Sequence, residues 1–74
     1  MIHELDNVVL TNDLPEHNLK SGDIGTVVLI HGNHAGYEVE FITLDGESIA
    51  VTSVFPKQIR PIARREIAHV RELA

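Results

Sequence analysis

The dipeptide Asp45-Gly46 separates two stretches that alternate in side-chain character, Gly36 to Ile42 and Ser48 to Thr52. Asp-Gly supplies the positive φ angles of a two-residue type I′ turn, whose twist matches that of paired strands. A register follows, with Leu44 opposite Glu47, Ile42 opposite Ile49, Phe41 opposite Ala50 and Glu40 opposite Val51. Tyr37, Val39, Phe41, Ser48, Ala50 and Thr52 then share one face, which its two aromatics mark as the core face. Glu38, Glu40, Ile42, Ile49 and Val51 share the other. Three β-branched apolar residues beside two glutamates make a patch that calls for cover.

The rest of the first 61 positions reads the same way, as short β-rich runs broken by turn residues. Strands are expected at Asn7 to Leu10, Ile24 to His31, Gly36 to Ile42, Ser48 to Thr52 and Gln58 to Pro61. Thr11 to Gly22 is a long first connection, poor in strand formers and pinned by Leu14 and Leu19. His31-Gly32-Asn33-His34-Ala35-Gly36 is a hairpin loop rich in residues that tolerate positive φ. A tight turn containing Pro56 leads into the last strand. Beyond Pro61, Ala63, Ile67, Val70 and Ala74 recur at spacings of four, three and four, which predicts a short amphipathic helix. A helix of about 12 residues is marginal alone and must dock on something.

Size and charge set further bounds. A chain of 74 residues buries too little surface for a large core, so a partner or self-association would help it. The absence of cysteine removes disulfides, Cys-ligated zinc and thiol catalysis from consideration. The first residues, Met-Ile-His-Glu-Leu-Asp, lack the basic stretch and apolar run of a signal peptide, and no apolar run spans a bilayer. A cytoplasmic location is the expectation. The net charge of −5 is unevenly placed. Residues 1–50 carry nine acids against one base, a balance of −8, and residues 51–74 carry five bases against two acids, a balance of +3. An acidic body bears a basic tail.

A long first loop, two hairpins, a short 3₁₀ turn and a final strand resemble the SH3-like small barrel. Within that class, Asp13-Leu14-Pro15-Glu16, Gly25-Thr26-Val27-Val28, Tyr37-Glu38-Val39-Glu40-Phe41 and Gln58-Ile59-Arg60-Pro61 resemble the bacterial family catalogued as domain of unknown function 4926. The likeness runs from about Leu5 to Pro61 and implies a fold without a reaction. The stretch Gly22-Asp23-Ile24-Gly25-Thr26-Val27-Val28 is more loosely similar to the KOW type of nucleic-acid-binding barrel, and is also what a tight strand start requires.

Candidate chemistry is sparse. Ser21, Ser48 and Ser53 lie in no Gly-x-Ser-x-Gly elbow, no glycine-rich phosphate loop opens a helix, and Glu38 and Glu40 alternate as a strand face does. No catalytic residue, cofactor or small-molecule substrate is expected. His17, His31 and His34 would flank one cleft in such a barrel and form a candidate site for Zn²⁺ or Ni²⁺, or a sensor of pH, on spacing alone. Nucleic-acid binding needs clustered bases, and the body is acidic, so phosphate contacts would fall to Arg60, Arg64, Arg65 and Arg71. Polyproline recognition needs an aromatic groove, and only Tyr37, Phe41 and Phe55 are available.

The reading that remains is a mainly β, SH3-like five-stranded barrel over residues 1–61 with an amphipathic C-terminal α-helix over 62–74. It would be a non-catalytic protein-interaction or accessory module, with a protein or a second copy of itself as partner. The expected interaction surface joins Glu38, Glu40, Ile42, Ile49 and Val51 to Arg64, Arg65, Ile67, Val70 and Arg71, the helix covering the outer hairpin face in cis or in trans. The alternatives are a KOW-like nucleic-acid binder and an acidic nucleic-acid mimic that sequesters a basic regulator or toxin partner.

Overall fold

A computed structural model describes residues 1–73. Five strands, β1 (Asn7–Leu10), β2 (Ile24–His31), β3 (Gly36–Ile42), β4 (Ser48–Val54) and β5 (Ile59–Pro61), form one antiparallel sheet in the order β4-β3-β2-β1-β5. Two 3₁₀ turns, Pro15–His17 and Pro56–Gln58, punctuate it, each opened by a proline whose fixed φ suits the first position. The fold is mainly β, as its alternating patterns require.

Alternation places the core. Val8, Leu10, Val27, Tyr37, Val39, Phe41, Val54 and Ile59 are buried on one side of the sheet, and Leu14 and Leu19 close over them from the β1–β2 connection. Those two leucines face each other across an isolated bridge, with Leu14 N–H donating to Leu19 C=O at 2.9 Å and Leu19 N–H returning the bond at 3.1 Å. The long loop is therefore pinned where its two apolar residues predicted. Gly25 is needed beneath this core, since a Cβ there would lie 2.5 Å from Val39 Cγ1 and 2.8 Å from Phe41 Cε1.

The β3–β4 hairpin keeps part of the expected register and changes the rest. Phe41 pairs with Ala50 and Glu40 with Val51, but Ile42 pairs with Ser48 rather than Ile49. The loop holds three residues instead of two: Thr43 N–H donates to Glu47 C=O at 2.8 Å, and Gly46 takes φ 96°. Thr43 selects this loop, because its Oγ1 accepts the Glu47 N–H at 2.9 Å and donates to the Asp45 carboxylate. The extra loop residue is absorbed by a bulge at Ile49, which leaves that side chain half-buried against the core beside Ala50. Ile49 therefore leaves the outer patch in which it was expected.

Two further expectations are corrected. The sheet is not closed, and β4 and β5 are its free edges. β5 has only three residues and ends at Pro61, which has no N–H to extend a ladder. The C-terminal helix expected from residue 62 does not form over the described residues. Glu66 draws the chain into a turn, accepting the Ala63 N–H at 2.6 Å and both Nη1 and Nη2 of Arg60 at 2.8 and 2.7 Å. Arg65, at φ 64°, lies in the left-handed region and breaks any helical run. The periodic apolar residues find no groove: Ile67 and Val70 are 93% and 73% exposed. Ala74, the last residue of that pattern, lies outside the described residues. Among the described residues no helix is long and apolar enough to cross a membrane.

Candidate interaction surface

The outer face of the sheet is built by the residues that alternate with the core. On β3 these are Glu38, Glu40 and Ile42; on β4 their partners are Ser53, Val51 and Ser48; on β2 they are Thr26, opposite Glu40, and Leu29, opposite Glu38. Ile42 is 52% exposed and Val51 54%, and Leu44 at the hairpin tip is 91% exposed. Ile24, at the start of β2, is also exposed. Ile24, Thr26, Glu40, Ile42, Thr43 and Leu44 line a shallow groove of about 280 Å³ in this face. Its lining mixes the apolar side chains of Ile24, Ile42 and Leu44 with the hydroxyls of Thr26 and Thr43 and one carboxylate, Glu40.

The two glutamates are held rather than free. Glu40 accepts a hydrogen bond from Ser48 Oγ at 3.1 Å. Glu38 is contacted by His31 Nε2 at 2.7 Å and accepts from Ser53 Oγ, both at its Oε2. The His31 contact, and then the Ser53 hydroxyl, hold the Glu38 carboxyl below the ordinary glutamate value. Serine, histidine and glutamate thus meet at one end of the outer face, in an order with the carboxylate in the middle. A nucleophilic triad places the imidazole between hydroxyl and carboxylate. Here the hydroxyl proton points at Glu38, and the arrangement ties β2, β3 and β4 together.

The histidines go to separate tasks. His31 serves Glu38, His34 lies edge-on to Tyr37 with ring centroids 6.1 Å apart, and His17 ends the first 3₁₀ turn. Among the described residues no three His, Cys, Asp or Glu side chains converge as metal ligands, so His17, His31 and His34 do not form the cluster that their spacing suggested.

The basic tail also lies elsewhere than expected. Arg71 does not approach Glu38 or Glu40; its Nε donates to Asp23 Oδ1 at 2.7 Å, its Nη2 to Asp23 Oδ2, and Nη2 reaches the Asn18 carbonyl at 3.1 Å. Burial pushes the Asp23 carboxyl up, but hydrogen bonds from Arg71 and the Lys20 N–H, with the charges of both residues, hold it below its ordinary value. The guanidinium of Arg71 is correspondingly pushed up, chiefly by its hydrogen bonds to Asp23. The Arg60 hydrogen bonds, followed by the Ala63 N–H, lower Glu66 to about 2. Arg64 and Arg65 have no acidic partner among the described residues. Among the described residues no hydrogen bond or ion pair joins the tail to Glu38 or Glu40, and Ile42, Val51, Ile67 and Val70 all remain exposed, so the outer hairpin face is left without the expected cover. Sequence reasoning missed Ile24 and Leu44 as part of this face and Asp23 as the anchor of Arg71. The available signal was Thr43, which sets the longer loop and leaves Leu44 projecting at its tip.

A family described as "Domain of unknown function (DUF4926)" matches residues 4–61, well over half of the chain. No curated protein and no solved structure matches.

Proposed function

The chain belongs to the DUF4926 family, whose description assigns no reaction, and from its surface we propose a non-catalytic protein-interaction module. The observation that carries this reading is the uncovered outer face of β3 and β4. There Ile42, Val51 and Leu44 project beside Glu40, with Ile24 across the groove. Apolar side chains clustered on one face of a small β domain and rimmed by carboxylates are the ordinary make-up of a protein contact. The order β4-β3-β2-β1-β5, with a long β1–β2 loop and a 3₁₀ turn before β5, supports describing the fold as an SH3-like barrel left open between its edges.

The other readings have less support. Arg60 and Arg71 are paired with Glu66 and Asp23, which leaves Arg64 and Arg65 as the arginines open to phosphate, beside a body of −8. An acidic mimic needs free, spaced carboxylates, and Glu38 and Glu40 are bonded within the sheet.

The test is a comparison of complexes from the native cell. A double variant, Ile42→Asp with Val51→Asp, changes exposed side chains and keeps the fold by circular dichroism. A stoichiometric complex, which includes a complex of the chain with itself, should form with the natural chain and be lost with the variant. Recovery of the same complex from both would overturn the reading.

A further inference from the structure

The two edges of the sheet are treated very differently by the sequence. β5 is short, ends in proline and continues into the turn clamped by Arg60 and Glu66. β4 is seven residues long, Ser-Ile-Ala-Val-Thr-Ser-Val, with no charge and no proline. Natural edges are usually blunted by lysine, proline, brevity or a bulge. β4 has one bulge, at Ile49, close to the hairpin tip, and from Ala50 to Val54 it pairs with β3 in unbroken register. Along these five consecutive residues every second one turns its N–H and C=O outward, a regular row without a gatekeeper.

We propose that this edge pairs with the β4 of a second copy of the chain, antiparallel and centred on Thr52, to give a continuous ten-stranded sheet across a two-fold axis. The inference deepens the interaction-module reading and rests on it. Three features favour a second copy as occupant. First, the seam is neutral and β-branched, so that Val51 falls opposite Ser53 of its counterpart and Thr52 opposite itself, without like charges in contact. Second, the strand's ends are complementary. Asp45 and Glu47 flank its start and Lys57 follows its end, and the antiparallel arrangement brings the acidic tip of one copy to the lysine end of the other. Third, the acidic rows do not oppose the approach strongly. Glu38 and Glu40 lie on β3, so facing rows sit three strand spacings apart, roughly 14 Å against a Debye length of about 8 Å at physiological ionic strength. Pairing would also continue the exposed apolar band of Ile42 and Val51 across the axis, giving a partner a wider face than one copy offers.

Sedimentation equilibrium from about 10 µM to about 1 mM tests the proposal on the natural chain and three variants. The natural chain should show a concentration-dependent dimer. Val51→Lys, which places two charges beside the seam, should be monomeric throughout with unchanged circular dichroism. Lys57→Glu should raise the dimer dissociation constant about tenfold, and Lys57→Glu combined with Glu47→Lys should restore it. A natural chain that stays monomeric at the highest concentration would overturn the pairing. So would a dimer indifferent to Val51→Lys, or one that the charge exchange fails to rescue. A monomer would still leave the interaction-module reading standing if a complex with another protein is lost on Ile42→Asp with Val51→Asp, so the two failures are told apart.

Discussion

Arg71 grips Asp23 across 48 positions of sequence, Nε to Oδ1 at 2.7 Å with Nη2 on the second oxygen and on the Asn18 carbonyl. A segment without regular secondary structure is tied by this bidentate contact to the connection between β1 and β2. Bidentate geometry gives the contact direction, but both partners keep access to water, which limits its strength. Arg71→Ala should therefore move the melting temperature by less than about 4 °C while amide exchange in residues 62–73 rises. A large loss of melting temperature would show that the tail supports the core.

The tail's apolar residues should be energetically silent. Ile67→Ala and Val70→Ala should each change unfolding free energy by less than about 0.5 kcal/mol, because neither side chain is withdrawn from water. Val39→Ala, in the middle of the core, should cost about 2–3 kcal/mol in lost burial and cavity formation. Urea denaturation of the three variants measures the contrast directly.

Gly25 should tolerate no side chain. A methyl group at that position meets Val39 and Phe41 from below, and those residues are held by the rest of the core. Gly25→Ala should destabilise by about 1–3 kcal/mol through overpacking, at unchanged denaturant slope. An unaffected midpoint would mean that the two strands can separate at no cost.

Acid should release the tail turn late. The folded pKa of Glu66 is lowered to about 2, so whatever the turn contributes is complete above the ordinary glutamate range and is lost only as pH falls through the folded value. Asp23, also lowered, acts in the same direction at the Arg71 contact. Carboxyl chemical shifts followed by NMR from neutral pH downward should show Glu66 titrating near 2. An ordinary titration would mean that the Arg60 clamp is open in solution.

The strands were legible because burial follows parity in this chain: Tyr37, Val39 and Phe41 are core, and Glu38, Glu40 and Ile42 are not. Leu14 and Leu19 were legible as the pins of the long loop because nothing else between Thr11 and Gly22 has apolar bulk. The hairpin tip was only half legible. Asp45-Gly46 announces a turn, but the Thr43 hydroxyl's bonds to Glu47 and Asp45 favour a longer loop, and the bulge at Ile49 restores the register beyond it. The tail misled for a different reason. Its apolar spacing is helical, yet helix formation needs a docking surface, and the competing clamp of Arg60 on Glu66 captures the residues that would begin it. The outer patch followed from alternation, while its lack of cover depended on where Arg71 goes, which no local pattern encodes.

Amide hydrogen exchange along β4 tests most directly whether the uncovered face and edge are where this protein meets another copy. Compared at about 10 µM and about 1 mM, amides within Ala50–Val54 should exchange more slowly at the higher concentration, while those of β1 and β5 do not change. Identical exchange across β4 at both concentrations would contradict the account.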